Sequence, residues 1–524
     1  MPSKHTIALI IIIVLAVFFR FWQFNVVPPG LYQDEAMNGA DALASLNSGQ
    51  YKVFYANNNG REGMIVWLDA LAVKIFGTEP WVLRLFPALV GILAVLGLYF
   101  LTKELFSVEL ALASSFFMAT SFWAVNFSRI GFRAGLMPMF LIWSFYFLLR
   151  GFKLLIYEIN SNKILLYFIL AGILFGLGFY TYISFRFAPV LVLFYFLPYL
   201  IKYRNKKLWN GILLFIITSF ITALPIGLYF LNNPGDFFGR TSQVSIFSAD
   251  NPLKAAAFSI AATLGMLNIA GDFNWRHNYA GSPQLFLPVG ILFILGILIC
   301  AKRRNLNDKF LFLWFFIFLL PNILSTEGNP HALRSLGAMP AVMVFAGLGL
   351  VWLYEKIQKY FDDKIKNPKF SVYQDQFKRL KKEFFWLLIV FLAFIASYEY
   401  NKYFNNWAAN SRVAAAFSQN QVELGNYLNN LPVNVEKYVI WDASDRATDN
   451  GLPVSAQTVY FLTAKKIKVN YLKSDEFDKI KLSENGTVIA SINFDLGLLH
   501  ILNKRYSGSR VEIIGLNAGV VIVP

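Results

Sequence analysis

Residues 83–106, LRLFPALVGILAVLGLYFLTKELF, hold an apolar stretch between Arg84 and Lys103 that is long enough to cross a bilayer. The hydrocarbon core is about 30 Å thick and a helix rises about 1.5 Å per residue, so a span needs about 17–25 residues. Of the 524 residues in the whole chain, 56% are hydrophobic and 15% are charged. Soluble domains usually contain about 25% charged residues, so the composition predicts a membrane protein.

The apolar runs predict a mainly α, polytopic membrane protein with about eleven transmembrane helices. They lie near residues 6–24, 82–102, 109–127, 134–150, 163–182, 187–201, 209–231, 285–301, 309–325, 333–354 and 384–400. The first run can also be interpreted as a cleaved signal peptide, because Lys4 precedes a long apolar core. No small-residue cleavage site follows it, and Arg20 and Trp22 are typical of the interfacial end of a retained helix.

Lys and Arg residues are unequally distributed between alternate sides of the predicted spans. With a cytoplasmic N-terminus, the inside segments before residue 401 hold nearly twice as many of them as the outside segments. The positive-inside rule therefore places loops 25–81 and 232–284 and the C-terminal tail outside the cytoplasmic membrane. We attribute the net charge of +16 to contacts with anionic membrane lipids, because no nucleic-acid recognition motif is apparent.

Residues 401–524 differ from the rest in composition. The segments KYVIWDAS, TVYFLTA, KIKVNYL, GTVIASIN and GVVIVP predict short strands, and QVELGNYLNNL predicts a helix. We therefore expect two domains, a transmembrane domain over residues 1–400 and a small outward-facing α/β domain over 401–524. The tail contains no recognisable metal-ligand cluster, glycine-rich phosphate loop or nucleophile elbow.

An acidic pair, Asp34 and Glu35, lies in PPGLYQDEAMNGADAL about ten residues beyond the first predicted span. One interpretation is that these acids begin a helix, where they satisfy free backbone N–H groups and the helix dipole. The other is that they lie near the membrane surface, where a lipid-linked substrate presents its head group. The acidic pair alone leaves both interpretations open.

Several cations lie at the ends of predicted spans on the same outer face. Each one singly can extend to the interface with no further role. Together, opposite an acidic loop, they predict a phosphate site, because the arginine fork binds phosphate oxygens in pairs and keeps its charge. These residues are Arg84, Arg129, Arg133, Arg186, His331 and Arg334.

The second long loop contains GDFNWRHNY, with Asp272, Arg276 and His277. We consider His277 as a metal ligand, as an acceptor-binding group, and as an ordinary loop histidine. The aromatic residues beside it fit sugar stacking and a membrane-interface belt equally well.

Five segments, FFRFWQF, PPGLYQDEAMNGADAL, NGREGMIVWLDALAVKIFG, LRLFPALVGILAVLGLYFLTKELF and FWAVNFSRIGFRAGLMP, resemble the polyprenyl-phosphate-dependent membrane glycosyltransferases of the GT-C fold. The similarity is to the family 39 branch, which contains protein O-mannosyltransferases and the aminoarabinose transferases of lipid A. It is strongest over residues 6–150 and continues more weakly to about residue 355.

The resemblance implies an inverting glycosyltransferase of the cell envelope that moves a sugar from a polyprenyl-phosphate donor to a hydroxyl of a protein, lipid or glycan acceptor. It implies Asp34 as general base with Glu35 beside it, no required cofactor, and a divalent cation as an open question. The NGRE element contributes Arg61 and Glu62, and Gly63 replaces the usual proline. The candidate substrate-binding residues are thus Arg61, Glu62, Arg84, Arg129, Arg133, Arg186, Asp272, His277, His331 and Arg334.

Two other classes of protein remain as alternatives. A transporter or lipid flippase should carry ionisable residues near the bilayer midplane or paired broken helices in related halves. We recognise no inverted repeat, and most acids lie at the ends of predicted spans. A non-catalytic assembly protein with the tail as its working part is the second alternative, and sugar transfer that survives loss of the tail would exclude it.

We predict that Ser444→Cys, in the DASDRATDNG loop of the tail, is labelled by a membrane-impermeant thiol reagent added to intact cells. The positive-inside rule is the physical reason, since it places the tail outside. Cys300→Ser removes the one native cysteine, and that variant alone is the unlabelled control. Labelling that occurs only after the cells are opened would show that the tail is inside.

Overall fold

The computed structural model describes residues 3–156, 163–202, 206–493, 495–515 and 518–524 and is mainly helical. The α-helices are α1 Lys4–Phe21, α2 Gln33–Ser48, α3 Met64–Phe76, α4 Leu85–Leu105, α5 Val108–Thr120, α6 Phe122–Arg129, α7 Met137–Ile156, α8 Ile164–Gly178, α9 Ala188–Lys202, α10 Lys206–Asn232, α11 Pro234–Gln243, α12 Pro252–Gly265, α13 Leu287–Arg303, α14 Leu306–Ile323, α15 Met339–Lys366, α16 Gln374–Tyr400, α17 Ser411–Ala416, α18 Gln419–Asn430, α19 Gln457–Thr463 and α20 Leu496–Arg505. The strands are β1 Phe54–Tyr55, β2 Arg61–Glu62, β3 Glu436–Trp441, β4 Asn470–Lys473, β5 Thr487–Ser491, β6 Arg510–Ile514 and β7 Ala518–Val523.

Every predicted span coincides with a helix, but the number eleven is not confirmed. Within the described residues, six helices are long and apolar enough to cross a membrane, and α5 with α6 makes a seventh if this pair, bent by 56°, is one span. Two further apolar helices, Ile164–Gly178 and Ile183–Leu197, are shorter than a usual span. The mainly helical fold class is confirmed.

The chain divides into two compact units. The first consists of residues 1–22, 88–128 and 134–406, and the second of residues 23–87, 129–133 and 407–524. The second unit therefore combines the first predicted outer loop with the C-terminal residues. Independent folding of residues 401–524 stays a prediction.

In the first unit, α8 packs closely against α10. Gly172 and Gly176 lie four residues apart on α8, in the run GILFG. A Cβ on Gly172 would be 2.6 Å from the backbone oxygen of Phe215, and one on Gly176 would be 2.7 Å from that of Ser219. Glycine at this spacing lets two membrane helices approach at backbone contact, so a larger residue would force them apart.

The second unit contains a five-stranded sheet in the order β4-β3-β5-β7-β6. Strand β3 is parallel to β4 and β5, whereas β7 is antiparallel to β5 and β6. The predicted α/β character of the tail is confirmed, but TVYFLTA forms helix α19 rather than a strand. Six of the seven residues of α19 are buried, and a short run that is buried on all sides carries no periodicity to separate helix from strand. Strand β6 was not predicted.

One hydrophobic cluster in the second unit joins residues that are far apart in sequence. Ala36 and Leu43 of α2 pack with Leu83, Phe461 and Leu462, all of them buried. Phe461 fits over Gly39 of α2, where a Cβ would lie 2.6 Å from the phenyl ring. Helix α2, which carries the acidic pair, is therefore held by α19 of the C-terminal sequence.

We expect Phe461→Ala to lower the free energy of unfolding of the second unit by about 3–5 kcal/mol, because it leaves a cavity beneath α2. Urea titration with pulse proteolysis of the full-length protein measures this change. Leu496→Ala is the control, since the Leu496 side chain is 63% exposed and should change stability little. Equal stability of the two variants would show that α2 does not depend on this contact.

Candidate functional site

The acidic pair occupies the first turn of α2, in the second unit. Tyr32 is the N-cap residue, so Asp34 and Glu35 are the second and third residues of the helix. The Glu35 carboxylate accepts a hydrogen bond from the backbone N–H of Tyr32 at 3.1 Å. The helix-start interpretation of the pair is thus right for the local structure, and it does not exclude a catalytic role.

Glu35 is fully buried, and both of its oxygens are occupied. Arg84 Nε donates to Oε1 at 2.9 Å and Arg84 Nη2 donates to Oε2 at 3.1 Å, which makes a two-pronged ion pair. The backbone N–H of Gly131 also donates to Oε1 at 2.7 Å. A carboxylate with this set of donors is fixed in position.

Arg84 extends the same network to the loop before α2. Its Nη1 donates to the carbonyl oxygen of Pro28 at 2.6 Å and its Nη2 to that of Gly30 at 2.8 Å. Gly30 has a positive φ of 71°, and a Cβ there would lie 2.3 Å from the backbone oxygen of Phe417. Only glycine fits this turn. The two hydrogen bonds from Arg84 hold the backbone of the loop that leads into α2.

Asp34 has a different environment from Glu35. It is half-buried, and its Oδ1 accepts a hydrogen bond from the side-chain amide of Asn58 at 2.6 Å. An amide orients the carboxylate without neutralising its charge. Of the two acids, Asp34 is the one that keeps access to solvent.

Arg61 is buried and ties the NGRE element to α2. Its Nη2 forms an ion pair with Asp41, and its Nη1 donates to Asn38 Oδ1 at 2.7 Å. The Asn38 amide in turn donates to the carbonyl oxygen of Gly131 at 3.1 Å. The guanidinium of Arg61 is thus bonded to protein side chains on α2.

The neighbouring Glu62 forms an ion pair with Arg133, whose Nε lies 2.8 Å from Glu62 Oε2. Arg133 Nη2 also donates to the carbonyl oxygen of Gly60 at 3.0 Å. Arg129 is buried, and its Nη2 donates to the carbonyl oxygen of Val27 at 2.7 Å. Of the candidate arginines in the second unit, Arg133 keeps the largest exposed fraction, 22% of its side chain.

Asp69 is a carboxyl group that sequence reasoning missed. It lies on α3, is fully buried, and neither oxygen has a hydrogen-bond partner among the described residues. Burial, and secondly the charge of Glu35, raises the pKa of Asp69 well above its usual range. Burial disfavours the charged form of this carboxyl group.

In the first unit, a helix break sets the position of α6. Arg20 is buried and donates to the carbonyl oxygens of Met118 at 3.3 Å and Ala119 at 3.1 Å, at the end of α5. Glu399 is buried and accepts the backbone N–H of Phe122 at 3.0 Å, at the start of α6. A cation at a helix C-terminus and an anion at an N-terminus both match the helix dipoles, so the two charges stabilise the 56° bend.

Helix α6 in turn holds two loops of the first unit. Asn126 donates to the carbonyl oxygen of Arg276 at 2.8 Å, and Trp123 Nε1 donates to that of Ala332 at 3.3 Å. These contacts bring GDFNWRHNY beside GNPHALRS, although the two segments are far apart in sequence. A cluster of Asp272, His277 and His331 forms at their junction.

Both histidines of this cluster face the same carboxylate oxygen, Oδ2 of Asp272. His277 Nδ1 lies 2.9 Å and His331 Nδ1 lies 3.9 Å from Asp272 Oδ2. The potential ligand atoms all lie within 4.8 Å of one another, so the set has the donors of a metal site. Burial lowers the pKa of His331 well below its usual range, and this imidazole is neutral.

The other two candidates of the first unit have partners of their own. Arg186 donates to the carbonyl oxygen of Phe237 at 2.7 Å and stacks over the Phe237 ring, 4.0 Å from its centroid. Arg334 forms an ion pair with Glu327 at 2.8 Å, and Arg240 shares the same carboxylate at 2.7 Å.

The candidates divide between the two units. Asp34, Glu35, Arg61, Glu62, Arg84, Arg129 and Arg133 belong to the second unit, and Arg186, Asp272, His277, His331 and Arg334 to the first. A role of any of them in substrate binding stays a prediction, as does convergence of all the cations on one phosphate.

Sequence reasoning missed Asn38, Asp41 and Asn58, which hold the acidic helix and its loop. One signal was available, because Asp34, Asn38 and Asp41 recur at helical spacing and so form a polar face on α2. Glu399 gave no such signal, since it lies at the end of an apolar helix far from its partner.

Known proteins match this architecture at the level of fold. Residues 63–226 match the sequence model of the family described as dolichyl-phosphate-mannose-protein mannosyltransferase. The crystal structure of ArnT from Cupriavidus metallidurans bound to undecaprenyl phosphate superposes with a TM-score of 0.61 at 13% identity, covering 98% of this chain and 97% of that one. The chain has the GT-C glycosyltransferase fold. The resemblance predicted from the sequence is thus confirmed.

Two further structures agree. ArnT from the same organism in the apo state gives a TM-score of 0.59 at 14% identity over 99% of this chain and 98% of that one. The apo oligosaccharyltransferase of Archaeoglobus fulgidus gives 0.51 at 15% identity over 93% of this GT-C chain and 69% of its own. No curated protein sequence matches the chain.

We expect Glu35→Gln to lower the free energy of unfolding by about 3–5 kcal/mol, because the buried Arg84 charge then lacks its counterion. The full-length protein in detergent, unfolded with urea, gives the measurement. Replacing both residues, as in Glu35→Gln with Arg84→Met, should recover part of the loss.

Glu79→Gln is the matched control for this experiment. Its ion pair with Lys466 lies in the same unit but is largely exposed, and such pairs contribute about 0–1 kcal/mol. A loss for Glu35→Gln no larger than that for Glu79→Gln would contradict the positioning role of Glu35.

Proposed function

We propose that the chain is an inverting glycosyltransferase that moves a sugar from a polyprenyl-phosphate donor to a hydroxyl acceptor at the outer face of the cell membrane. Three observations support this proposal: the GT-C fold, the match of residues 63–226 to a mannosyltransferase family, and an acidic helix start with one accessible carboxylate. ArnT, which shares the fold, binds undecaprenyl phosphate.

The proposal rests on the different environments of the two acids, Asp34 and Glu35. Transfer from a sugar phosphate needs a carboxylate that takes the proton of the acceptor hydroxyl. Asp34 meets this need, because it is half-buried, oriented by Asn58, and forms no ion pair among the described residues. Glu35 holds α2 in place through Arg84 and acts as a positioning residue.

The departing phosphate gains negative charge as the glycosidic bond breaks, and a cation nearby stabilises that charge. Arg133 suits this role best in the second unit, since it combines partial exposure with a guanidinium oriented by Glu62. Arg61, Arg84 and Arg129 are buried and bound to protein groups, so we assign them to the framework. The proposed step uses no metal ion, and dependence on a divalent cation stays a prediction.

The positive-inside pattern supports an active site that faces outward, where a lipid-linked sugar can meet an acceptor. The acceptor can be a protein, a lipid or a glycan, because the proposed chemistry requires only a hydroxyl. A transporter or flippase is not favoured, since the fold matches glycosyltransferases over nearly the whole chain.

We predict that Asp34→Asn reduces transfer at least about 10²-fold, because a positioned general base contributes about 10²–10⁴-fold to rate. The fold should persist, since the charge of an acid near a helix N-terminus contributes only about 0.3–1 kcal/mol. Mass spectrometry of the glycans lost in a deletion strain, and restored by each variant at equal membrane abundance, measures transfer.

Glu109→Gln is the matched control, because Glu109 is likewise the second residue of its helix, α5, and lies on an exposed surface. This variant should restore the glycans fully. Near-normal restoration by Asp34→Asn would show that the base is another residue.

A further inference from the structure

We propose that Asp272, His277 and His331 bind one divalent transition-metal ion of the zinc class. The proposal goes beyond glycosyl transfer and does not depend on it, since all three residues belong to the first unit and the test reads metal binding itself.

The geometry of the cluster is close to that of a bound ion. Zinc binds imidazole nitrogen and carboxylate oxygen at about 2.0–2.2 Å, which separates two tetrahedral ligands by about 3.3–3.5 Å. The two observed separations from Asp272 Oδ2 are 2.9 Å for His277 Nδ1 and 3.9 Å for His331 Nδ1. These two separations are within about half an ångström of the tetrahedral value, and all the potential ligand atoms lie within 4.8 Å of one another, so side-chain shifts would place three of them around one ion with a fourth position open to an oxygen ligand.

A second observation points to a ligand at the same place. His331 Nδ1 is buried, and it has no hydrogen-bond partner among the described residues. At 3.9 Å it is too far from Asp272 Oδ2 for a hydrogen bond. A buried polar atom without a partner costs about 1–3 kcal/mol, and a metal ion in the gap would remove that cost.

The carboxylate is fixed from both loops before any ion arrives. The backbone N–H of Asn274 donates to Asp272 Oδ1 and that of Ala332 to Oδ2, each at 2.8 Å. The amide of Asn278 braces the loop through the carbonyl oxygens of Asp272 and Ser282. Such outer hydrogen bonds orient metal ligands and raise affinity.

The donor set selects the class of metal. Two imidazoles and one carboxylate suit zinc and similar borderline ions, whereas magnesium and calcium prefer oxygen ligands throughout. Arg240 and Arg334 lie near His331 and would oppose a cation, but both share Glu327, which offsets part of their charge. Arg276 is also near and favours an anionic oxygen in the fourth position.

Metal analysis of the purified full-length protein tests the proposal. After chelation and dialysis against Zn²⁺, we expect one zinc ion per chain, with two imidazole ligands in X-ray absorption spectra. Asp272→Asn, His277→Gln and His331→Gln should each weaken zinc binding at least about 10-fold. His5→Gln and His500→Gln are the controls and should bind zinc as the native chain does, because both histidines are exposed elsewhere.

Thermal unfolding separates loss of the site from loss of the fold. His331→Gln also removes the ring contact between His331 and His277, whose centroids lie 4.8 Å apart, so the shift on adding zinc is the readout rather than the melting temperature without metal. Zinc should raise the melting temperature of the native chain but not of His331→Gln, because a ligand stabilises only the state that binds it. Absence of stoichiometric zinc, equal zinc binding by the three variants, or equally tight binding of Mg²⁺ would each overturn the proposal.

Discussion

The buried ion pair between Glu35 and Arg84 is the constraint on which the second unit depends. Its two-pronged contact, together with the N–H of Gly131, fixes the first turn of α2 against two separate loops. A buried charge without its partner is strongly unfavourable, so the pair forms only when all three segments are in register. The same contacts fix the backbone of Asp34, because Asp34 precedes Glu35 in that turn.

In the first unit, two buried charged side chains likewise bond to backbone groups and fix a helix. Arg20 and Glu399 cap the two helix ends at the break between α5 and α6. The direction of α6 then brings the loops with His277 and His331 together. In both units, buried charged side chains that bond to backbone groups fix the direction of a helix.

The acidic pair, the arginine-rich turns and the membrane character follow from the sequence, because each is a local pattern. The pairing of Glu35 with Arg84 and Gly131 does not, since nothing in a linear sequence links three distant segments. The protein partners of the buried arginines do not follow from the sequence either, as with the hydrogen bond from Arg129 to the carbonyl oxygen of Val27. The number of spans is not confirmed, since apolar length alone does not separate a membrane span from a shorter buried helix.

A structure of the protein in lipid nanodiscs with a polyprenyl-phosphate sugar tests the central claim most directly. A general base lies about 3 Å from the acceptor hydroxyl, which lies about 3–3.5 Å from the anomeric carbon. We expect the donor phosphate within roughly 10 Å of the Asp34 carboxylate, with space for a hydroxyl between them. A phosphate bound well beyond that distance, with Asp34 turned away from the sugar, would contradict it.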